Sequence, residues 1–246
     1  MRVAVAGATG WTGVEVVRAL RERGHESVVI ARSGGVDLLT GAGLADALEG
    51  VEAVVDVTNV RTQRYGRARA FFETATTTLI RAEVAAGVRH HVVLSIIGCD
   101  RVDLGYYRAK HRQERAALAG PVPVTVLRAA QFHELAAQML ATRAPVVLAP
   151  PLRCQPVAMR EVAAHLAELA VRGPQGMAPE MAGPDADQRL DQMMRRLAQR
   201  RGVRRPLLPV LPPGRAGRQI TAGALLPAAD GPRGEESFED WLAQVR

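Results

Sequence analysis

From its second residue the chain runs apolar, polar glycine turn, amphipathic, apolar. RVAVA reads as a short buried strand, GATGWTG follows, and in VEVVRALRERG the residues Val14, Val17 and Leu20 recur at helical spacing. Gly24 closes that helix, because a glycine adopts the left-handed C-terminal conformation without a steric penalty. SVVIARS is a second apolar run. A strand, a glycine turn, a helix and a strand within about 30 residues form the opening of a parallel βαβ sheet.

The alternation continues. GVDLLTG reads as a short edge piece and LADALEG as a short helix. AVVDVTN (53–59) is a buried strand, VRTQRYG a loop, and residues 67 to 87 a long helix closed by Gly87. HVVLSI (91–96) is a strand, IGCDRVDLG a loop, YYRAKHRQERAALAG a helix and VTVLRA (124–129) a strand. Continuous apolar strands alternating with helices predict an α/β fold, a Rossmann-type doubly wound parallel sheet. Beyond residue 130 the alternation fades. QFHELAAQMLA is helical, APVVLAPP a short strand, and 159–172 and 186–201 are helices. Pro206, Pro209, Pro212 and Pro213 mark loops, and SFEDWLAQV is a final helix. Residues 1–135 are expected to form a dinucleotide-binding core. Residues 136–246 form a small C-terminal substrate lobe over the carboxyl edge of the sheet, the whole making one compact unit.

Composition narrows this without redirecting it. A chain of 246 residues that is 48 % hydrophobic and 23 % charged is an ordinary globular protein. Cys99 and Cys154 lie far apart in no metal-ligand spacing, so neither a disulfide framework nor a zinc site is expected. No stretch approaches the roughly 18 apolar residues of a membrane span, and the apolar start is broken by glycines before it resembles a signal peptide. A soluble cytoplasmic protein is expected. The net charge of +7 permits a nucleic-acid partner. Yet Lys110 is the sole lysine among 32 basic residues, and that arginine bias points to composition instead. The basic run MRRLAQRRGVRR (194–205) lacks interleaved aromatics and reads as a solvated helix face, with no nucleic acid expected.

The glycines 7, 10 and 13 carry the first chemical signal. Gly7 permits a sharp turn out of the first strand, Gly10 lets backbone amides approach a pyrophosphate, and Gly13 lets the helix sit close. Helix-start amides and the helix dipole hold the anion. Thr9, Trp11 and Thr12 share that turn and complete the pyrophosphate-side candidates. At the end of the second strand, an NAD site usually has an acidic residue for the ribose 2′-hydroxyl. Ala31-Arg32-Ser33 stands there instead. The Arg32 guanidinium and the Ser33 hydroxyl suit a 2′-phosphate, which predicts NADP(H); the alternative is one more surface arginine. Thr58 and Asn59 end a strand where the cofactor ribose would pass, or simply form a βα turn.

These residues resemble the short-chain dehydrogenase/reductase superfamily. GATGWTG is similar to the GxxGxxG of its extended and atypical branches. VVLSIIG, GYYRAK and RAAQFHE look like the NmrA-like NAD(P)-binding group. The resemblance is specific over the first 135 residues and loose beyond. It implies that Ser95, Tyr106 and Lys110 are catalytic. Lys110 would bind the nicotinamide ribose and lower the pKa of Tyr106. Tyr106 would pass a proton to a substrate carbonyl oxygen, and Ser95 would hold that oxygen. Tyr106 and Lys110 are four apart and share a helix face. The departures are an eleven-residue interval from Ser95 to Tyr106 and Val57-Thr58-Asn59-Val60 in place of the NNAG of the main branch. The resemblance also matches Asp37, beside Leu38, to an adenine-contacting aspartate; a helix cap or solvated loop is the alternative.

Gln131, Phe132 and His133 follow a strand's carboxyl end and are candidates for the substrate pocket, against a packed helix start. His90 and His91 read as solvated strand-start residues. RTQRYGR (61–67) reads as a solvated loop, alternatively a lid or a grip on an anion. The function expected is NADP(H)-dependent reduction of a carbonyl or quinone-like molecule. The alternatives are a non-catalytic NADP(H) sensor and an isomerase or dehydratase. A small-molecule substrate, no metal, no membrane, and a monomer or homodimer are expected.

Overall fold

The computed structural model describes residues 1–245. Its elements are β1 (Arg2–Ala6), α1 (Trp11–Glu22), β2 (Glu26–Ile30), α2 (Leu44–Ala47), β3 (Ala53–Asp56), α3 (Tyr65–Ala86), β4 (His90–Ile96), α4 (Gly105–Leu118) and β5 (Val124–Ala129). Then come α5 (Glu134–Leu140), β6 (Val147–Leu148), β7 (Arg153–Cys154), α6 (Met159–Arg172), β8 (Gly176–Met177) and β9 (Gln188–Arg189). α7 (Leu190–Arg200), β10 (Leu207–Leu208), α8 (Arg215–Thr221) and α9 (Phe238–Gln244) complete the chain. The main sheet has six strands in the order β2-β1-β3-β4-β5-β8. GVDLLTG forms turns rather than an edge strand, and β8, a two-residue strand read from no sequence pattern, supplies the far edge.

Side chains alternate across a strand, so the register assigns each residue a side. Val3↔Ala53 and Ala4↔Val54 align β1 with β3, and Val54↔His91 and Asp56↔Val93 align β3 with β4. One side therefore carries Ala4, Ala6, Val54, Asp56, His91, Val93 and Ser95. Ala4, Ala6 and Val54 pack with Leu44 of α2 and Leu79 of α3, and Val93 packs with Ile80 of α3 and Ala117 of α4. Val3 and Val5, on the other side, are equally buried. Burial of both alternating sets requires helices on both faces, which is why these strands are apolar throughout. α4 is fixed to β5 by Glu114, which accepts from Arg128 at 2.9 and 2.8 Å.

The chain divides into two compact units by more than one cut. The first holds Met1–Ser95, Leu104–Arg128 and Val162–Ala178, so most of α6 and all of β8 return to it. The second holds Ile96–Asp103, Ala129–Glu161 and Pro179–Arg246. Its core joins α5, α7 and α9 through Leu140, Leu190, Met194, Leu197, Phe238 and Trp241. In α7 the basic Arg195 and Arg200 lie on the exposed face. Ser237 starts α9 with a capping box to Asp240.

His90 and His91 correct their expected solvated placement: both are buried, at 3 % and 1 % exposure. His90 Nε2 pairs with the Thr125 hydroxyl at 2.8 Å and Nδ1 with the Ala170 carbonyl at 3.3 Å, and burial lowers its pKa. His91 Nδ1 lies 2.7 Å from Glu83 of α3. Burial opposes its charge, but the Glu83 carboxylate prevails and raises the His91 pKa above its usual value. Below about pH 6.5, the ordinary histidine value, this pair contributes its full stabilisation. The contribution is lost as pH rises through the raised folded-state pKa. Thermal unfolding should therefore show a loss of stability as pH rises above the ordinary histidine value, and Glu83→Gln should remove that loss. Each kcal/mol corresponds to about 2–4 °C in Tm for a chain of this size. Parallel pH profiles for wild type and variant would dismiss this account.

Candidate active site

β1 enters the glycine turn through Gly7, whose φ of +82° is readily adopted only by glycine. β2 lies on one side of β1 and β3 on the other, so the strand order reverses at this point. Ligands bind open α/β sheets at such a switch. The chain leaving β3 closes the gap: a Cβ on Gly7 would lie 3.1 Å from the Val57 carbonyl and 3.2 Å from Thr58. Gly10 is the N-cap of α1 and supplies no side-chain cap. Amides of the first helical turn have no intrahelical acceptor, so they remain for an external anion. Gly13 is tightest of the three, since a Cβ there would meet the Gly7 carbonyl oxygen at 2.2 Å and Ala8 Cα at 2.6 Å. Thr9 and Trp11 are exposed around this turn, and Thr12 is half-buried.

β2 ends in a short 3-10 turn, Arg32–Gly34, with Arg32 and Ser33 both exposed. The Arg32 guanidinium has no ion-pair or hydrogen-bond partner among the described residues. Asp37 is half-buried, and its Oδ1 accepts from the Leu39 amide at 2.7 Å, so that carboxylate shapes its own loop. Leu38 packs against the core below. Thr58 is buried, and its hydroxyl has no hydrogen-bond partner among the described residues. The glycine cradle, the uncapped helix start and the orphaned Thr58 hydroxyl all fit a dinucleotide.

Tyr106 and Lys110 share α4, as their spacing requires. Ser95 is buried in β4 on the side that α3 and α4 cover, the side of the sheet from which α4 presents them. Tyr106 donates its phenolic proton to Asn59 Oδ1 at 2.7 Å, and that oxygen also accepts from the Val60 amide at 2.7 Å. The phenol ring meets Phe72 edge-on at 5.9 Å. The expected lowering of its pKa does not occur. Burial, with a smaller contribution from Tyr107, pushes it well above the ordinary tyrosine value. Lys110 is itself buried and commits its ammonium elsewhere, to the Leu94 carbonyl at 2.7 Å and Gln113 Oε1 at 2.5 Å. Gln113 and Asp56, which complete this contact, were missed. The available signal was an acidic residue inside the apolar run AVVDV and a glutamine three residues past the lone lysine.

The pocket candidates lie in the second unit. His133 is fully buried beside Phe238 and Trp241, at 5.8 and 6.0 Å between ring centroids, with Nε2 3.1 Å from the Glu236 carbonyl. That is the packed helix start rather than a pocket wall. Gln131 is buried and accepts at its carbonyl from the Val157 amide at 3.0 Å, and Phe132 is half-buried and bridges Val157. Two surface cavities of about 560 and 430 Å³ in this unit are lined by other residues, Arg218 and Thr221 in one and Gln155, Asp187 and Arg233 in the other. Among the described residues no cluster of three or more His, Cys, Asp or Glu is placed to hold a metal ion, and no helix is long and apolar enough to cross a membrane.

No family model and no curated protein matches the sequence. Solved structures match across nearly the whole chain. "MoeE5 in complex with UDP-glucuronic acid and NAD" superposes with a TM-score of 0.72 at 20 % identity, covering 99 % of this chain and 97 % of that one. The NADPH-dependent quinone oxidoreductase QOR2 of Escherichia coli, complexed with NADPH, gives 0.69 at 20 % identity, covering 98 % of each. The triphenylmethane reductase of a Citrobacter species, complexed with NADP(H), gives 0.62 at 17 % identity, covering 86 % of this chain and 80 % of that one. A similar match is named as a short-chain dehydrogenase/reductase superfamily protein from Agrobacterium tumefaciens, at 20 % identity. At such identities the shared property is architecture: this chain has the Rossmann-type fold found in the short-chain dehydrogenase/reductase superfamily.

Proposed function

We propose that this protein is an NADP(H)-dependent oxidoreductase that reduces a carbonyl or quinone-like small molecule. The observation that carries the cofactor choice is Arg32, exposed and unpartnered at the end of β2 beside a glycine turn built to admit a pyrophosphate. A free guanidinium there suits a 2′-phosphate by bidentate contact, with Ser33 adjacent. Among fold neighbours, a quinone oxidoreductase and a triphenylmethane reductase are complexed with NADPH or NADP(H). Bound nicotinamide would supply hydride. Tyr106, held protonated by its surroundings, donates the phenolic proton to the substrate oxygen, and Ser95 hydrogen-bonds that oxygen. Lys110 holds the nicotinamide ribose.

Arg32→Asp tests the cofactor assignment. Hydrogen bonds to charged groups contribute about 1.5–3 kcal/mol, so NADPH affinity should fall by roughly tenfold or more while NADH affinity holds or improves. Calorimetric titration of both cofactors reads this directly. Equal wild-type affinity for NADPH and NADH would remove the 2′-phosphate from the account.

A second reading, a non-catalytic NADP(H) sensor, is favoured by the commitment of Tyr106 to Asn59 and of Lys110 to Gln113. It predicts NADPH binding without turnover on any ketone or quinone. An isomerase or dehydratase is a third, supported by nucleotide-sugar epimerases among the fold neighbours. Its product would keep the substrate's mass or lose one water.

A further inference from the structure

The buried side of α4 carries an arrangement that hydride transfer alone does not explain. Asp56, the last residue of β3, is 1 % exposed. Its Oδ1 accepts from the Thr58 amide at 2.9 Å and its Oδ2 from Gln113 Nε2 at 2.9 Å. Gln113, fully buried, accepts at Oε1 from the Lys110 ammonium. That ammonium also lies 4.8 Å from the centre of the Phe72 ring. Only one orientation of the Gln113 amide satisfies both neighbours, NH2 toward the carboxylate and oxygen toward the ammonium. Thr58 is followed by Asn59, which accepts from Tyr106, and Tyr106 is one helical turn before Lys110. The connections therefore close into a ring: Tyr106, Asn59, the Thr58 amide, Asp56, Gln113, Lys110. His91, paired to Glu83 at 2.7 Å, lies on the same side of the sheet as Asp56.

A buried ammonium is costly unless charge and hydrogen bonds compensate it. Here the Asp56 carboxylate reaches the ammonium through the neutral Gln113 amide, and that amide aims it. We propose that Asp56 and Gln113 are positioning residues of the dinucleotide site. Gln113 aims the Lys110 ammonium, and Asp56 ties it to the loop that holds Tyr106. This rests on the assignment of Lys110 to the cofactor made above.

The chemistry prescribes a swap. Gln113→Glu alone sets two carboxylates side by side, and Asp56→Asn alone opposes two amide groups or turns an NH2 toward the ammonium. The double variant restores every pairing, with the carboxylate moved next to Lys110 and the amide at position 56. Because Lys110 is the sole lysine, selective isotopic labelling gives a single lysine side-chain NMR signal, readable without activity. Each single variant should shift or broaden that signal and weaken NADPH binding about tenfold, within the usual range of coupled residues. The double variant should recover both. Circular dichroism melting reports folding separately, and the swap is close to isosteric. A lysine signal indifferent to both single changes overturns the proposal. A signal that responds while NADPH affinity stays constant also overturns it, and takes Lys110 out of the cofactor site. Retained lysine and NADPH responses without any turnover keep the proposal and remove only the reductase reading.

Discussion

Tyr106→Phe is expected to lower NADPH-dependent turnover by about 10²–10⁴-fold, the usual contribution of a positioned proton donor, while leaving NADPH affinity within about twofold. The substitution removes one oxygen and keeps the ring that meets Phe72. The lost contact is the 2.7 Å bond to Asn59, whose oxygen still accepts from the Val60 amide. Stability should change little, so a fall in rate reports chemistry. Burial places the phenol's ionisation well above the ordinary tyrosine value, so the group is a proton donor throughout the neutral range. The protonated form therefore persists to higher pH than for a free tyrosine, and no loss of rate from this group should appear near pH 10, its unperturbed value. Steady-state rates against pH, with cofactor affinity measured separately, check both statements. Unchanged turnover in the phenylalanine variant would remove Tyr106 from the mechanism, whereas NADPH binding with no turnover in either protein would favour the sensor.

Gly13→Ala should be the most damaging small change in the glycine turn. The new Cβ would sit 2.2 Å from the Gly7 oxygen and 2.6 Å from Ala8 Cα, both backbone atoms that no rotamer change can move. The start of α1 must shift away from the turn, at a cost of about 1–3 kcal/mol typical of overpacking, and the amides that face the pyrophosphate shift with it. NADPH affinity should fall by at least about tenfold, with a lower Tm. Gly66→Ala, inside α3 with nothing within 4 Å of its Cβ position, is the matched control. It exchanges a poor helix former for the best one, worth up to about 1 kcal/mol of added stability, and should leave NADPH binding alone. Equal effects of the two substitutions would show that close approach at Gly13 is not what the dinucleotide turn requires.

The elements that bear the site were legible because each announces itself locally. β1 and β5 match their apolar runs to the residue, α6 matches its helical pattern at 159–172, and the left-handed Gly7 sits where the turn demands it. Arg32 could be placed at a strand end by counting alone. Where the sequence misled, the deciding atoms came from distant segments. His90 and His91 are polar residues at a strand start, which locally resembles solvent exposure. Their burial depends on Ala170 of α6, Thr125 of β5 and Glu83 of α3. β8 has two residues and no periodicity to detect, and exists because β5 offers it an open edge.

The lone lysine marks the division most clearly. The chain by itself determined that Lys110 follows Tyr106 at one helical turn, on a helix between two apolar strands of a parallel sheet, because spacing and periodicity are properties of the backbone path. Only the tertiary structure decided what the ammonium faces. Asp56 is 57 residues from Gln113, and no local pattern relates them. They meet because the register of β3 against β1 and β4 turns Asp56 toward the side that α4 covers. A hydrogen bond needs both partners within about 3 Å, and that distance is set by sheet register and helix packing together.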